Sequence, residues 1–553
     1  MTEIPGAQKS LNLSTNSFLY EACLLWVSSA FRDSARCVDA AGRTAWLAGA
    51  HHPGRFADGA LENWVLQIGH RQTLATSGAA APKLELRGSS RTLHVASELH
   101  PTGGHTRVLA KWVARDASAQ HAVVITRQPV AVPEFVERAV TKAGGSIFCL
   151  PPTESPMIRA GWLRDLAARV DRIVLHHHQD DPVPTLAFAQ PGGPPVAMFN
   201  HAHFSFSLGA TVSDIVVNTL EYFRGVSKEF RFARQTACLS GIPGLGRMPE
   251  GPIDRRTAKS ALGIDPDRII SLSVGHESYY RPTESYDFFR VARRLLRMNP
   301  NMHLIVMGVS STSPTVPVDL QTEPRCHCVG FVTDPIPYYR AADIFLESFP
   351  MPSLGAVVEA VAYGEAFPVP VYGPTESVLR ISQEPILRYR HRPLDEDAYV
   401  EYVTEVAAHL DVAREEARQA RQSMFSFDEA WETRLRELNQ KIDTLTHESS
   451  EIPVASMVDS YDNRVLADLR TLNVGRQIDA LLPLSRGALT HVRAVGRGFA
   501  RPRSLGRIGH RMLRDLIGRS RPWFTNTPRK TAHDVFSGEA VPDARARASP
   551  ESH

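Results

Sequence analysis

The chain has 553 residues, of which 43% are hydrophobic and 22% are charged. These proportions are those of an ordinary globular protein, and at about 150 residues per domain the length predicts three to four domains. A formal net charge of +3 excludes a polycation, and six cysteines are too few for a disulfide scaffold, which favours a reducing compartment. Apolar runs are too short to span a membrane, and the first ten residues do not read as a secretory signal. We therefore expect a cytoplasmic protein, at most peripheral to the inner face of a membrane.

The first ninety residues carry helical patterns and no convincing strand. Apolar residues recur at helical spacing over residues 20–31 and 61–68, and a stretch of small and polar residues at 76–82 follows. Residues 1–90 are therefore predicted to form a helical N-terminal extension.

From residue 91 onwards, short apolar runs alternate with helical patterns, which is typical of a parallel sheet covered on both faces. The alternation stops at a linker rich in glycine and proline, residues 240–252, and then begins again. We predict two consecutive doubly wound domains, residues 91–245 and 257–445, with a ligand cleft at the carboxyl ends of their strands. The predicted strands are 93–96, 122–126, 147–150, 172–175, 196–199, 215–217, 269–273, 304–307, 328–331, 344–346 and 368–371. The predicted helices are 107–114, 134–142, 158–170, 285–296 and several between 396 and 442.

A glycine pair, Gly103 and Gly104, follows the first predicted strand and precedes a helix. Glycines in such a turn let backbone N–H groups approach a ligand, and a helix N-terminus favours an anion. A tight turn also requires glycine for conformational reasons alone, so both interpretations stay open.

The stretch 342–364 predicts a buried strand, a proline-rich turn and a helix that begins with Ser353 as its N-cap. Glu359 stands among valines and alanines, so we expect it to point into the cleft and accept hydrogen bonds from ribose hydroxyls. The alternative is a capped helix on which Glu359 faces solvent. The residues predicted to hold a diphosphate at this helix start are Ser353, Leu354, Gly355 and Ala356.

This stretch resembles the donor-site signature of GT-B glycosyltransferases, especially the retaining family 4 type, in which a glutamate is followed by alanine and a later glycine. Here these residues are Glu359, Ala360 and Gly364. A further similarity to the family lies upstream of that glutamate. The family's sequence motif there resembles residues 328–334, Tyr338, Tyr339 and residues 341–343 of this chain. The resemblance covers about residues 91 to 442.

A second resemblance lies in the first predicted domain. Asn200, His201 and Ala202, with Leu208 and Gly209 after them, are similar to the "NHADHxFWLG" text of some bacterial members. The family implies a GT-B fold, in which two Rossmann-like domains face a cleft. It also implies transfer of a sugar from a nucleotide diphosphate sugar, with a UDP-sugar favoured, no metal or cofactor, and retention of configuration. The implied acceptor is a glycan, a lipid-linked molecule or a protein.

The chain departs from the family text at several positions. Met351 stands where the family often carries another glutamate, and Tyr279 stands where a lysine usually contacts phosphate, which leaves Arg281 as the nearest cation. His203 and Phe204 replace an aspartate and a histidine. Two alternatives therefore stay open: a nucleotide-sugar epimerase on the same fold, and a GT-B relative that has become a binding or scaffold protein.

Histidines supply the candidate polar groups of the first domain. His201 follows a predicted strand and is the candidate catalytic residue beside the transferred sugar; the alternative is a structural histidine bonded to a carbonyl. His177 and His178 belong to a run of three histidines that we expect at the rim of the cleft. The side chains of adjacent histidines point in different directions, so no metal site is predicted at this run. Cys326 and Cys328 would need a second pair of ligands to bind zinc, so no metal site is predicted there either.

Residues 446–553 are predicted to form a linker and a basic, partly helical C-terminal appendage. Between residues 482 and 530, eleven arginines and one lysine stand against a single aspartate, a local charge of +11. A helix over 507–517 with one apolar face suits an anionic membrane surface, whereas nothing indicates recognition of a specific nucleic acid. A solvated basic tail is the alternative.

Overall fold

The computed structural model of the chain describes residues 11–71, 90–101, 104–128, 130–241, 253–374 and 392–469. Two predicted features lie outside the described residues: Gly103 and the basic segment 482–530.

The N-terminal part is helical, as predicted, and consists of α1 (Leu11–Ala30), α2 (Ser34–Ala50) and α3 (Gly59–Arg71). The Asp33 side chain accepts the Arg36 N–H at 3.2 Å and caps the start of α2. The sequence reading missed α2, because its inner face is made mostly of alanines, which give little hydrophobic periodicity. These alanines are fully buried and let the neighbouring helices approach closely.

The first sheet is parallel throughout, with strand order β3-β2-β1-β4-β5-β6-β7. All six strands predicted for this domain are present, and β7 is a further short strand. The strands are β1 (Arg91–Ala96), β2 (Gln120–Ile125), β3 (Ser146–Cys149), β4 (Arg172–His176), β5 (Val196–Asn200), β6 (Ile215–Asn218) and β7 (Thr236–Cys238). The helices are α4 (Gly104–Arg115), α5 (Glu134–Lys142), α6 (Pro156–Ala167), α7 (Val183–Ala187) and α8 (Tyr222–Phe230).

The second sheet is also parallel, with strand order β10-β9-β8-β11-β12. Its five strands are those predicted, with shifted ends. They are β8 (Ile269–Val274), β9 (Met302–Met307), β10 (Cys326–Gly330), β11 (Ile344–Leu346) and β12 (Phe367–Val369). The helices are α9 (Arg255–Ala261), α10 (Phe288–Met298), α11 (Val318–Gln321), α12 (Ile336–Ala341) and α13 (Leu354–Gly364).

Both faces of the second sheet are covered, because its strands bury apolar side chains on each face. Leu304 and Val306 of β9 pack into one apolar core, whereas Ile305 of the same strand packs into the core on the opposite face. Successive residues of a strand point to opposite faces, so this division requires a helical layer on each side. Helix α10 supplies one layer through the buried stripe that begins with Phe288 and Phe289.

The chain then closes through α14 (Glu396–Ala408), α15 (Leu410–Glu429), α16 (Trp431–Asp443) and α17 (Tyr461–Leu469). Trp431 and Leu435 of α16 share an apolar core with Trp112 and Val174 of the first domain, so this helix returns to the first sheet. Pro453 then accepts the N–H of Gly59 at 2.9 Å, which ties the end of the described chain to the N-terminal helices.

Two Rossmann-like domains in series, followed by a helix that returns to the first, form the GT-B architecture that the family resemblance implied, and they confirm the predicted α/β fold class. Within the described ranges, none of the helices combines the length and the apolar character that crossing a membrane requires.

Candidate functional site

The start of α13 is shaped by the turn that connects it to β11. Ser348 donates its hydroxyl hydrogen to the carbonyl of Met351 at 2.8 Å, which fixes this turn. Ser353 occupies the N-cap position as predicted, but its side chain makes no capping bond within the described residues. Its carbonyl instead accepts the N–H groups of Ala356 and Val357. The N–H groups of Leu354 and Gly355 precede the first helical hydrogen bond, and such groups are suited to an anion.

Glu359 lies six residues beyond the N-cap and is only 8% exposed, so the solvent-facing alternative is wrong. Its Oε1 accepts a hydrogen bond from Nη1 of Arg107 at 3.0 Å, and its Oε2 accepts one from the Tyr339 hydroxyl at 3.1 Å. Burial raises the pKa of Glu359, while the Arg107 charge and these hydrogen bonds oppose the rise. Arg107 belongs to α4 of the first domain, so Glu359 stands where the two domains meet.

Tyr339 reaches Glu359 because α12 and α13 are in close backbone contact. A Cβ atom at Gly364, the last residue of α13, would lie 1.9 Å from the Tyr339 carbonyl oxygen. Glycine is therefore required at this crossing, and the crossing places the Tyr339 side chain beside the middle of α13.

Four histidines of the first domain cluster beyond the carboxyl ends of β1, β4 and β5. The ring of His105 is stacked on that of His201 with centroids 5.0 Å apart, and it meets the ring of His178 edge-on at 5.4 Å. His178 is in turn stacked on His100 at 6.0 Å. Burial, together with the neighbouring imidazoles, lowers the pKa of His105 to about 4 and those of His178 and His201 well below the usual value. At neutral pH the rings of His105, His178 and His201 are therefore uncharged hydrogen-bonding groups.

His177 does not join this cluster, which corrects the expectation that it faces the cleft. It is 5% exposed, and its Nε2 lies 3.0 Å from the carbonyl oxygen of Leu208. The backbone of Gly209, at φ +109°, covers the ring so closely that a Cβ there would lie 2.9 Å from it. Adjacent residues at the end of a strand point in opposite directions, so only His178 can face the other three histidines.

The acidic residues after the histidine run hold the first domain together. Arg127 forms a bidentate pair with Asp180 at 2.8 and 2.9 Å, and also contacts Glu98 at 3.1 Å. Asp181 accepts the hydroxyl hydrogens of Ser97 and Thr126. Over the described ranges, no group of three or more histidine, cysteine, aspartate or glutamate side chains is placed to hold a metal ion.

The other predicted residues occupy exposed positions near these groups. Gly104 begins α4, and a Cβ atom there would meet nothing within 4 Å, so packing does not require glycine at this position. Arg281 is exposed and follows the short helical turn Glu277–Tyr280. The Tyr279 carbonyl in that turn accepts the N–H of Met351 at 3.4 Å, so this loop lies against the turn that leads to α13.

The first turn of α4 contacts both the histidine cluster of the first domain and Glu359 of the second. No role is predicted from the sequence for His105 or Arg107 in this turn. His105 stacks on His201, while Arg107, two residues later, binds Glu359 of the second domain. The sequence signal for a role of His105 and Arg107 is their position within three residues of the glycine pair. We call this set the interdomain site: the four clustered histidines, Arg107, Tyr339, Glu359 and the start of α13.

No protein-family profile matches the chain, and no curated protein matches it either. The structure is similar to that of a mutant O-GlcNAc transferase from Thermobaculum terrenum, at 14% identity over 78% of this chain and 84% of that one, with a TM-score of 0.48. It is similar to HepE from Anabaena in complex with UDP, at 14% identity over 64% and 100% of the two chains, TM-score 0.48. It is also similar to a UDP-GlcNAc 2-epimerase from Neisseria meningitidis, at 12% identity over 63% of this chain and 100% of that one, with a TM-score of 0.42. At these values, the activity has to be inferred from the interdomain site itself.

Proposed function

We propose that the protein is a glycosyltransferase that transfers a sugar from a nucleotide diphosphate sugar, and that a UDP-sugar is its donor. The observation that carries the proposal is the convergence on Glu359. A helix start whose first N–H groups precede the helical hydrogen bonds and a buried carboxylate held by Arg107 of the first domain lie where two Rossmann-like domains meet. Two residues before Arg107, His105 belongs to a cluster of imidazoles. Diphosphate, ribose and sugar require these three kinds of group.

The donor is held mainly by the second domain. The N–H groups of Leu354 and Gly355 bind the diphosphate, and the exposed cation Arg281 adds charge from the neighbouring loop. Glu359 accepts the ribose hydroxyls, because a carboxylate oxygen such as Oε2 can accept a second hydrogen bond beside the one from Tyr339. Stabilising the departing diphosphate in this way lowers the barrier to transfer without a metal-dependent step.

In the first domain, His201 and its stacked neighbour His105 are the polar groups that we assign to the transferred sugar. A neutral imidazole can donate one hydrogen bond and accept another, which suits hydroxyls of the transferred sugar or of the acceptor. A sugar that develops positive charge during transfer would also be disfavoured by a charged wall, and these rings stay neutral at pH 7. Retention of configuration is proposed on the family resemblance.

The test is nucleotide binding to Glu359→Gln, a change that keeps the shape of the side chain and removes its charge. Wild-type protein should melt at a higher temperature with one of UDP, GDP or ADP, or with a sugar conjugate, because a ligand of the folded state stabilises it. The variant should bind that nucleotide about 10-fold or more weakly, the usual loss for a hydrogen bond to a charged group. Glu437→Gln, on the exposed face of α16, is the matched control. Equal affinities in the two variants would remove Glu359 from the donor site.

An epimerase is the second candidate, and the clustered histidines favour it, because epimerisation requires acid and base groups around the sugar. The two activities differ in their products. An epimerase changes the configuration of the donor sugar without an acceptor, whereas a transferase releases free nucleotide diphosphate as the sugar leaves. Product analysis by NMR without and with acceptors distinguishes them, and the absence of both activities in a protein that binds nucleotide would indicate the scaffold alternative.

A further inference from the structure

Helix α4 carries a row of cationic side chains that pair with acidic residues of α13 and α15. Arg107, Lys111 and Arg115 are spaced by four residues and therefore lie on one side of the helix. Arg107 contacts Glu359, while Lys111 and Arg115 both contact Asp428 near the end of α15, at 2.6 and 3.2 Å. The row joins the first domain to the second along the length of α4.

The two ends of this row differ in burial. The side chains of Lys111 and Asp428 are 2% and 8% exposed, so separating these two charges in surroundings that exclude water would cost much free energy. The Arg107 side chain is 34% exposed and contacts Glu359 through one guanidinium nitrogen, Nη1. Arg107 can therefore leave Glu359 and stay solvated, while the buried Glu359 carboxylate keeps the Tyr339 hydroxyl as a partner and gains the ribose hydroxyls of the donor. The Lys111 pair, in which both side chains are buried, acts as a fixed contact.

We infer that Arg107 exchanges partners when donor binds: it pairs with Glu359 in the empty site and with the diphosphate in the occupied one. This inference rests on the proposed function. Glu359 lies five residues beyond Leu354, about 7.5 Å along the helix axis, which rotation of an arginine side chain can cover. A diphosphate carries more negative charge than one carboxylate and accepts the guanidinium in a bidentate manner, so it wins the competition.

The exchange of partners by Arg107 favours binding of both the diphosphate and the ribose of the donor. When Arg107 moves, Oε1 of Glu359 becomes free to accept a ribose hydroxyl, so the diphosphate and the ribose assist each other's binding. The first domain also acquires a direct contact with the leaving group, although the rest of the diphosphate site belongs to the second domain. A nucleoside without phosphate gains nothing from Arg107 and has to compete with it for Glu359.

The test is the ratio of UDP affinity to uridine affinity, measured by calorimetry for UDP and by ligand-observed NMR for uridine. In Arg107→Gln, UDP should bind about 10-fold or more weakly, the usual loss for a charge-assisted hydrogen bond. Uridine should bind as well as before or better, because Glu359 is released. The ratio should therefore fall at least tenfold. Arg115→Gln removes the same charge from the same helix face and should leave the ratio unchanged.

An unchanged ratio in Arg107→Gln, whether both affinities fall together or neither falls, would overturn the inference and leave Arg107 as an interdomain contact. Arg107→Lys keeps the charge but loses the bidentate fork, so it should give an intermediate ratio and serves if the glutamine variant does not fold. Wild-type protein that binds neither UDP nor any other nucleoside diphosphate would instead overturn the proposed function, and the partner exchange with it.

Discussion

Glu347 provides a test of the structure that does not depend on any ligand. It follows β11 directly and is fully buried, with 0% of its surface exposed. Its Oε2 accepts the N–H of Val371 at 3.2 Å, whereas its Oε1 has no hydrogen-bond partner in the described part of the chain. Burial raises the pKa of this carboxyl group to about 8. Glu347 should therefore be protonated in the folded protein at neutral pH.

The consequence is a stability that declines with rising pH. In the unfolded chain Glu347 ionises near its ordinary pKa of about 4.5, so above that value the unfolded state binds fewer protons than the folded one. The folded state loses about 1.4 kcal/mol of stability per pH unit until the pH passes the folded pKa, roughly 5 kcal/mol in all. Glutamine has the shape of a protonated glutamate and cannot ionise. Glu347→Gln should therefore be increasingly more stable than wild type between pH 4.5 and 8.

Thermal melting at pH 5.5, 7 and 8.5 measures this effect. The difference in melting temperature between Glu347→Gln and wild type should grow in favour of the variant at each step. Glu437→Gln, which changes an exposed carboxyl group, should show no such trend. A difference that stays constant, or that shrinks as the pH rises, would mean that Glu347 is solvated or paired and would refute the reasoning.

Two further predictions concern the buried charge at Lys111 and the close backbone approach at Gly308. Lys111→Met should lower the free energy of unfolding by about 1.5–3 kcal/mol, the usual value of a hydrogen bond to a charged group, because Arg115 remains paired with the buried Asp428; urea denaturation measures the loss. Gly308→Ala should lower the melting temperature strongly, because φ is +90° and the new Cβ would lie 2.2 Å from the Gly275 carbonyl oxygen. Gly144→Ala, at φ +68° with nothing within 4 Å, should cost only about 1–2 kcal/mol, and equal shifts would contradict this account.

The sequence predicted the two sheets well because buried parallel strands are short, strongly apolar and separated by helices. Its omissions have physical reasons. Strand β7 has only three half-buried residues, too few to show any pattern, and the inner face of α2 is built of alanine. Element ends shifted by a few residues because caps and turns, rather than hydrophobic periodicity, decide where a helix begins.

The interdomain site was predicted only in part. Glu359 and His201 stood out because a polar residue follows or interrupts an apolar run, and this signal is local. The partners of Glu359 have no such signal: Arg107 is separated from it by 252 positions and looks like any charged residue on an amphipathic helix. Contacts of this kind are set by the packing of domains, which a pattern along the chain does not record.

The arrangement around α4 gives these separate groups a common physical basis. A helix that begins at the carboxyl end of β1 must direct its first turn towards the space between the domains, so His105 and Arg107 meet groups from both sides. The Lys111–Asp428 pair further along the same helix is buried and joins the two domains, while Arg107, whose side chain is 34% exposed, is the member of the row that we infer to change partners. A fixed contact next to a replaceable one lets ligand bind between two domains without separating them. If the proposed function holds, the same helix face accounts for both the stability of the interface and its response to a donor.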